Sequence, residues 1–500
     1  MSSTKTCHDA EGAVPCDCAC GCDRRSFLSA AGAAIGALAL APLRSFAAEA
    51  AAPRQKEGAV VRAAFIYPPS KSFADDPNGW WSWPGNDFDA EGRQKRYVAA
   101  FREMEKRLGV KVAADGPPVA TKADAARLAK EVGEGKPDGL LLVMFYNRSL
   151  ALADLVLKAA EAAGVPTIFY IGLGVKHGRI DHYRRPGLYF IQSLDNMDAI
   201  ESGLRMIQTR KLMAQSRLLS ITEAPEPREG TEGFLGIKVR VVPFRQYAAA
   251  FKAVPIDDRA RGLIAQVTKG AREVRGVSQE ALENAARAHF ALKKLLADEG
   301  ADGLTMNCLR RGMLKPCVSF SLLNGELIPA ACENDLPAAY TYLLGHLLTG
   351  RPGFQHNPCY DTERNHYYAS HCTCPTKLYG PDGPALPYLL RRFAHSNEGS
   401  CAIQVFWKQG DPVTMVRYYP GKAPALDVYA GKVVTSYAMP PAGGCTTNVA
   451  IELTDRADAC EVHGHHNLLF CGDFARRFRL FANLHRMRLA STGYTGPWPR

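Results

Sequence analysis

The chain has 500 residues, 47% hydrophobic, 22% charged and 9% aromatic, which excludes a disordered chain and a fibrous repeat. That length corresponds to about three domains, each able to bury its own core. The formal charge of +11 comes from scattered Lys and Arg without a nucleic-acid-binding motif, which sets nucleic acid aside as a partner.

At the amino end, Asp23-Arg24-Arg25-Ser26-Phe27-Leu28 precedes a run of small apolar residues up to Pro42. This is the order of a twin-arginine export signal. The run is too short for a stable membrane anchor, and no other stretch has the length and apolarity of a transmembrane helix. Small-x-small sites at Ser45-Phe46-Ala47 and Ala48-Glu49-Ala50 place the mature start near residues 48–51. Residues 1–50 are therefore read as leader, and the mature protein is expected to be periplasmic or extracellular. Twin-arginine export carries proteins that fold first, often around a cofactor. Of the 15 cysteines, Cys7, Cys16, Cys18, Cys20 and Cys22 precede the arginine pair. The others can pair in an oxidising compartment, but no Cys-x-x-Cys repeat marks them and their connectivity is not legible in the sequence.

The mature chain opens with a buried strand at 60–66 and an amphipathic helix at 93–108. Helix 122–132, strand 138–145, helix 150–163 and strand 167–171 then alternate, which predicts a parallel sheet covered by helices over 58–190. After a short strand at 188–191, helix 199–211, strands 217–222 and 238–243, helix 278–297 and strand 303–308 predict a second α/β domain over 191–350. From 351 to 500 the texture changes to short strands at 402–407, 413–418, 426–436 and 448–453, closed by a helix at 474–487. This predicts an antiparallel, barrel-like β domain. The fold class is thus α/β, two parallel-sheet domains followed by a β-rich one.

Gly172-x-Gly174 after a strand has the wrong spacing for a dinucleotide loop and reads as a turn. His371-Cys372-x-Cys374 lacks a matching second pair for a zinc finger or ribbon. Trp80, Trp81 and Trp83 stand in a Gly/Pro loop, where flat apolar faces with one N–H donor can stack on a sugar ring; they can equally plug a core or a subunit interface.

Three stretches belong together: Ala331-Cys332-Glu333-Asn334-Asp335, then Tyr360-Asp361 with Asn365 and His371-Cys372, then Gly464-His465-His466 with Gly472-Asp473. With this order of domains, residues 58–490 resemble the L-fucose isomerase and L-arabinose isomerase superfamily. The resemblance implies one divalent metal, commonly Mn²⁺, held by Glu333, Asp361 and His466. His466 is preferred to His465 because Gly472-Asp473 and Phe481-Ala482 follow it at the family's spacings. The resemblance also implies a homo-oligomer.

Two carboxylates and one imidazole make a mostly oxygen site that suits Mn²⁺ or Mg²⁺ and leaves positions open. An open-chain aldose could offer its carbonyl and neighbouring hydroxyl there, and a carboxylate could carry the C2 proton to C1 through a cis-enediol. Glu333 and Asp361 are the expected acid/base pair; Asn365, His371 and His465 are candidates for substrate contact. The expected activity is aldose–ketose isomerisation. An exported carbohydrate-binding protein with a non-turnover metal pocket, and a related epimerase or lyase, are the alternatives.

Overall fold

Strands β1 (Val60–Ile66), β2 (Lys111–Ala113), β3 (Gly139–Met144), β4 (Thr167–Ile171) and β5 (Leu188–Gln192) form a parallel sheet in the order β2-β1-β3-β4-β5. The computed structural model describes residues 56–75, 85–146, 149–172, 180–309, 314–393, 399–437 and 445–490. Side chains alternate between two cores, as the period of two requires. Ala63, Phe65, Leu141 and Val143 enter one, and Ala64, Ile66, Leu140 and Leu142 the other. Helices Ala90–Leu108 and Met197–Ala214 close the first core, and Lys122–Gly135 and Leu150–Ala162 the second. With both faces covered, every residue of β3 is buried, which explains its unbroken apolar run.

The second sheet is built from β6 (Arg217–Thr222), β7 (Arg228–Thr231), β8 (Lys238–Pro243), then, after β9 (Glu273–Arg275), β10 (Gly303–Met306) and β11 (Ala330–Ala331). Its order is β11-β10-β6-β8-β7, parallel except for β7. β10 and β11 lie side by side, so the residues after their carboxyl ends, including Cys308 and Glu333, emerge together. In open parallel sheets that end is where ligands bind.

The remaining strands are β12 (Gly353–Asp361), β13 (His366–His371), β14 (Tyr388–Arg392), β15 (Cys401–Val405), β16 (Pro412–Tyr419), β17 (Ala425–Tyr437), β18 (Thr447–Leu453), β19 (Asn467–Cys471) and β20 (Arg488–Leu489). Six of them close into an antiparallel barrel, β16-β19-β12-β13-β18-β17, sealed by the β16–β17 pairing. β14 and β15 form a hairpin, and β9 joins it in parallel, so segments on either side of residue 350 share a small sheet. One apolar core runs from β1 through helix Leu336–Thr349 to β16, β19 and helix Ala475–Leu484. The mixed α/β class with a carboxyl-terminal antiparallel barrel is therefore what the chain adopts. Among the described residues, no helix is long and apolar enough to cross a membrane.

Helix Leu336–Thr349 presses against the barrel at Gly345, where an added Cβ would lie 2.0 Å from Phe470 Cζ. Only a glycine permits that approach. Because Asp335 caps this helix, the close contact also fixes the turn that carries Glu333.

Candidate metal centre

β11 runs into the turn Cys332-Glu333-Asn334-Asp335. Gln355, on β12, clamps it: its Oε1 accepts from the Cys332 N–H at 2.8 Å and its Nε2 donates to the Cys332 carbonyl at 3.3 Å. Glu333 and Asn334 then adopt left-handed φ values of +63° and +54°. Asn334 is tied down by its N–H on the Met306 carbonyl and by Ser220 Oγ, which donates to its Oδ1 at 2.8 Å. Asp335 accepts from the Ala338 N–H at 2.8 Å and so starts the next helix.

This turn aims Glu333 at two imidazoles from the barrel. His371 ends β13, where the alternation of that strand buries it on the same side as Tyr367 and Ala369. His466 precedes β19, itself at φ +58°. Glu333 Oε1 lies 3.5 Å from His371 Nε2, and Oε2 lies 3.3 Å from His466 Nε2. The ligand atoms of these three side chains fall within 4.8 Å of one another. His466 Nε2 is buried and has no hydrogen-bond partner among the described residues. An orphaned buried nitrogen beside a carboxylate and a second imidazole is what a divalent-ion site without its ion exposes. Glu333 and His466, both non-glycine residues at positive φ, carry strain of about 1–3 kcal/mol each, which the surrounding clamps hold in place.

The other nitrogen of His466 fixes the tautomer. Nδ1 lies 2.9 Å from Asp335 Oδ2. An ionised carboxylate only accepts, so Nδ1 carries a proton, which leaves Nε2 as the nitrogen that a bound ion would take. Arg417 holds Asp335 in turn, with Nη1 3.0 Å from Oδ2 and Nη2 3.3 Å from Oδ1, and Nη1 also donates to the His466 carbonyl at 2.9 Å.

The charges follow from these contacts. His371 and His466 hold the Glu333 carboxyl far below the usual range, against its partial burial. Burial raises Asp335, but the bonds from His466 and Arg417 outweigh it and leave a net lowering. Burial also works against a charged His371, yet the Cys372 thiol group and Glu333 together raise it. Cys372 is lowered by bonds from Cys317, Cys332 and Cys445. These contacts push Glu333 and Cys372 toward their anionic forms and His371 toward its cationic form.

The residues expected from sequence are distributed as follows. Glu333 and His466 come together, and His371 lies with them, its ring nitrogen within 4.8 Å of both. Asp361 does not. It ends β12 opposite His366, and the five residues from there to His371 span about 17 Å. Its carboxylate accepts from the Arg364 N–H and pairs with the Arg364 guanidinium at the hairpin tip, which corrects the expectation that it binds the metal and acts as base. Asn365 is likewise structural: it donates to the Ala457 carbonyl and accepts from the Ala459 N–H, each at 2.8 Å. His465 is exposed and packs against His466 with ring centres 3.8 Å apart and the planes tilted by 32°. Trp80, Trp81, Trp83 and the leader lie outside the described residues.

A cavity of about 320 Å³ adjoins the site, with Glu333 and His371 on its wall. Asn357 and Lys315 also line it, and Asn357 Oδ1 is buried without a hydrogen-bond partner among the described residues. Sequence reasoning misses Asn357, Asp335 and Arg417. Asn357 lies opposite Ser370, on the face alternate to His371, so strand alternation does not single it out, and nothing local marks Arg417.

No known protein family matches the chain, and no curated protein does. Among solved structures, a chain from a mutant of the XylFII-LytSN complex aligns at 10% identity over 59% of this chain and 91% of that one, with a TM-score of 0.15, a likeness too slight to bear on fold or function.

Proposed function

We propose that the chain is a metal-dependent enzyme of the sugar isomerase kind, binding a divalent ion through Glu333, His371 and His466. The observation that supports this reading is the convergence of those three donors from three separate segments, with His466 Nε2 buried and unpartnered among the described residues. One carboxylate and two imidazoles form a less hard set than the two carboxylates and one imidazole expected from sequence, and suit Mn²⁺, Fe²⁺ or Zn²⁺ better than Mg²⁺. Such an ion would polarise carbonyl and hydroxyl oxygens of a ligand in the adjoining cavity.

Glu333 is the single carboxylate on the cavity wall among the described residues. A 1,2-hydrogen shift through a cis-enediol needs one base on one face of the substrate, so the loss of Asp361 from the site leaves that chemistry feasible with Glu333 as the proton carrier. Asp335 and Arg417 orient His466, and Lys315, whose Nζ donates to the Cys308 carbonyl, sets a cation on the cavity wall. Export and self-association belong to the same reading.

The missing second carboxylate also favours a second reading, a carbohydrate-binding protein that keeps an ion without turning over its ligand. Incubation of the purified chain and Mn²⁺ with a panel of pentoses and hexoses in D₂O, followed by NMR, separates the two. Deuterium at C1 or C2 with ketose formation, lost in Glu333→Gln, supports the isomerase. Exchange without ketose supports an epimerase or lyase, and stoichiometric metal with no exchange supports the binding protein.

A further inference from the structure

Six cysteines line the same cavity; Cys359 is exposed, and the other five, Cys308, Cys317, Cys332, Cys372 and Cys445, come from segments far apart in sequence. They arrive from different places: the residues after β10, the first turn of helix Cys317–Gly325, the residues after β11 and after β13, and the approach to β18. Cys308 Sγ lies 2.7 Å from Cys332 Sγ, and Cys317 Sγ 3.3 Å from Cys372 Sγ. Cys372 Sγ also lies within 4.8 Å of Cys332 Sγ. No disulfide joins them. The thiols of Cys332 and Cys372 and a ring nitrogen of His371 lie within 4.8 Å of one another.

Packing alone does not account for this arrangement. A thiol buried as a small apolar group touches carbon and at most a carbonyl, as Cys401 does with its Sγ 3.6 Å from the Ala281 carbonyl. Here the sulfurs face one another. Thiolates on one tetrahedral ion sit about 2.3 Å from it and therefore about 3.8 Å apart, so the Cys308–Cys332 and Cys317–Cys372 pairs need to part by about 1 Å or less, around the Cys332, Cys372 and His371 donors that already lie within 4.8 Å of one another.

His371 connects this cluster to the carboxylate site. Its Nε2 faces Glu333 at 3.5 Å, while its Nδ1 lies 3.6 Å from Cys372 Sγ. The two nitrogens of one ring thus look toward two donor sets of different softness, one of oxygen and nitrogen, the other of sulfur.

We propose that Cys332 and Cys372, supported by Cys308 and Cys317, hold a thiophilic metal ion next to the Glu333–His466 site, with the His371 ring standing between the two ions. Cd²⁺ is the probe, because thiolate coordination gives it an ultraviolet charge-transfer band that carboxylate and imidazole coordination does not. The full chain, purified and reduced, is titrated with Cd²⁺ with thiols counted in parallel. The expected result is a charge-transfer band that saturates at one ion. It disappears in Cys332→Ser/Cys372→Ser with about a tenfold or greater loss of affinity, persists in Glu333→Gln, and persists in Cys401→Ser. Persistence in Glu333→Gln also separates this inference from the proposed function, which that variant abolishes. If the double variant does not fold, Cys317→Ser is read instead and is expected to shrink the band. Cd²⁺ uptake without the band, a band that survives the double variant, or a reduced protein that takes up no Cd²⁺ overturns the proposal.

Discussion

In the proposed metal centre Asp335 would act on the ion through His466 without touching it, and its replacement by Asn tests the geometry of His466. The Asn side chain keeps an oxygen for the Ala338 N–H, and Asn and Asp cap helices equally well, so the helix start is preserved. What goes is the charge facing Arg417, a pair whose side chains are 10% and 12% exposed. Removing one partner of a buried pair costs about 3–5 kcal/mol; because Arg417 retains the His466 carbonyl, the lower end of that range, about 3 kcal/mol, is expected. Asp335→Ala removes the cap as well and should lie about 1 kcal/mol lower still. Loss of an orienting carboxylate weakens metal binding about 10- to 100-fold, which is about 1.4–2.7 kcal/mol. Urea denaturation in the presence of a chelator reads the first quantity, and electron paramagnetic resonance of free Mn²⁺ during titration reads the second. A folded Asp335→Asn protein that binds Mn²⁺ as tightly as the parent would refute the role given to Asp335 and, with it, the assignment of His466 Nε2 as a ligand.

Other substitutions probe separate steps of the reasoning. Glu333→Gln should abolish Mn²⁺ binding in the same titration while Asp361→Asn leaves it unchanged; the opposite pattern would restore the two-carboxylate site. Gly345→Ala, which in an exposed helix would be stabilising, should instead cost about 1–3 kcal/mol in urea denaturation, because the added methyl group meets Phe470. His371 sets a pH dependence. Burial alone would lower it, but the Cys372 and Glu333 charges raise it from 6.5 to about 10. A group raised on folding contributes fully below its unfolded value and loses that contribution as pH rises through the folded one. The metal-free protein should therefore lose stability between pH 6.5 and about 10, and His371→Gln should flatten that part of the profile.

The elements most legible in the sequence are those whose burial has a single period. β3 is apolar throughout because helices cover both faces, and the helix Gln279–Asp298 carries one apolar stripe behind a Ser278 cap. The strands that build the site are harder to read. β12 contains Asn357 and Pro358, which argue against a strand, yet the β19 pairing ends at His356 and Pro358 lies beyond it, so the missing N–H breaks no bond on that side. Motif order singles out Glu333 and His466, but their convergence depends on turns at positive φ that no local propensity signals. Asp361 misleads for the converse reason. It is a carboxylate in the right order along the chain for a ligand, whereas the hairpin register carries it to the far end of β13.

That register has a chemical consequence beyond the misplaced residue. With Asp361 at the hairpin tip, the donors that face Glu333 are both imidazoles, and the groups beyond them on one side are sulfur rather than oxygen. Imidazole nitrogens and nearby thiols move the centre's preference from hard ions toward borderline ones. The second carboxylate in the neighbourhood, Asp335, is engaged by Arg417 and by the Nδ1 proton of His466. It therefore tunes a ligand instead of reaching the substrate. A proton that leaves a substrate carbon in this cavity must then be carried by Glu333, the one carboxylate on its wall among the described residues. Its contacts with His371 and His466 keep that carboxyl ionised across neutral pH. A solvent-exchange rate of the Mn²⁺-loaded protein that is level from about pH 6 to 8 supports Glu333 as the carrier, and one that climbs with pH over that range refutes it.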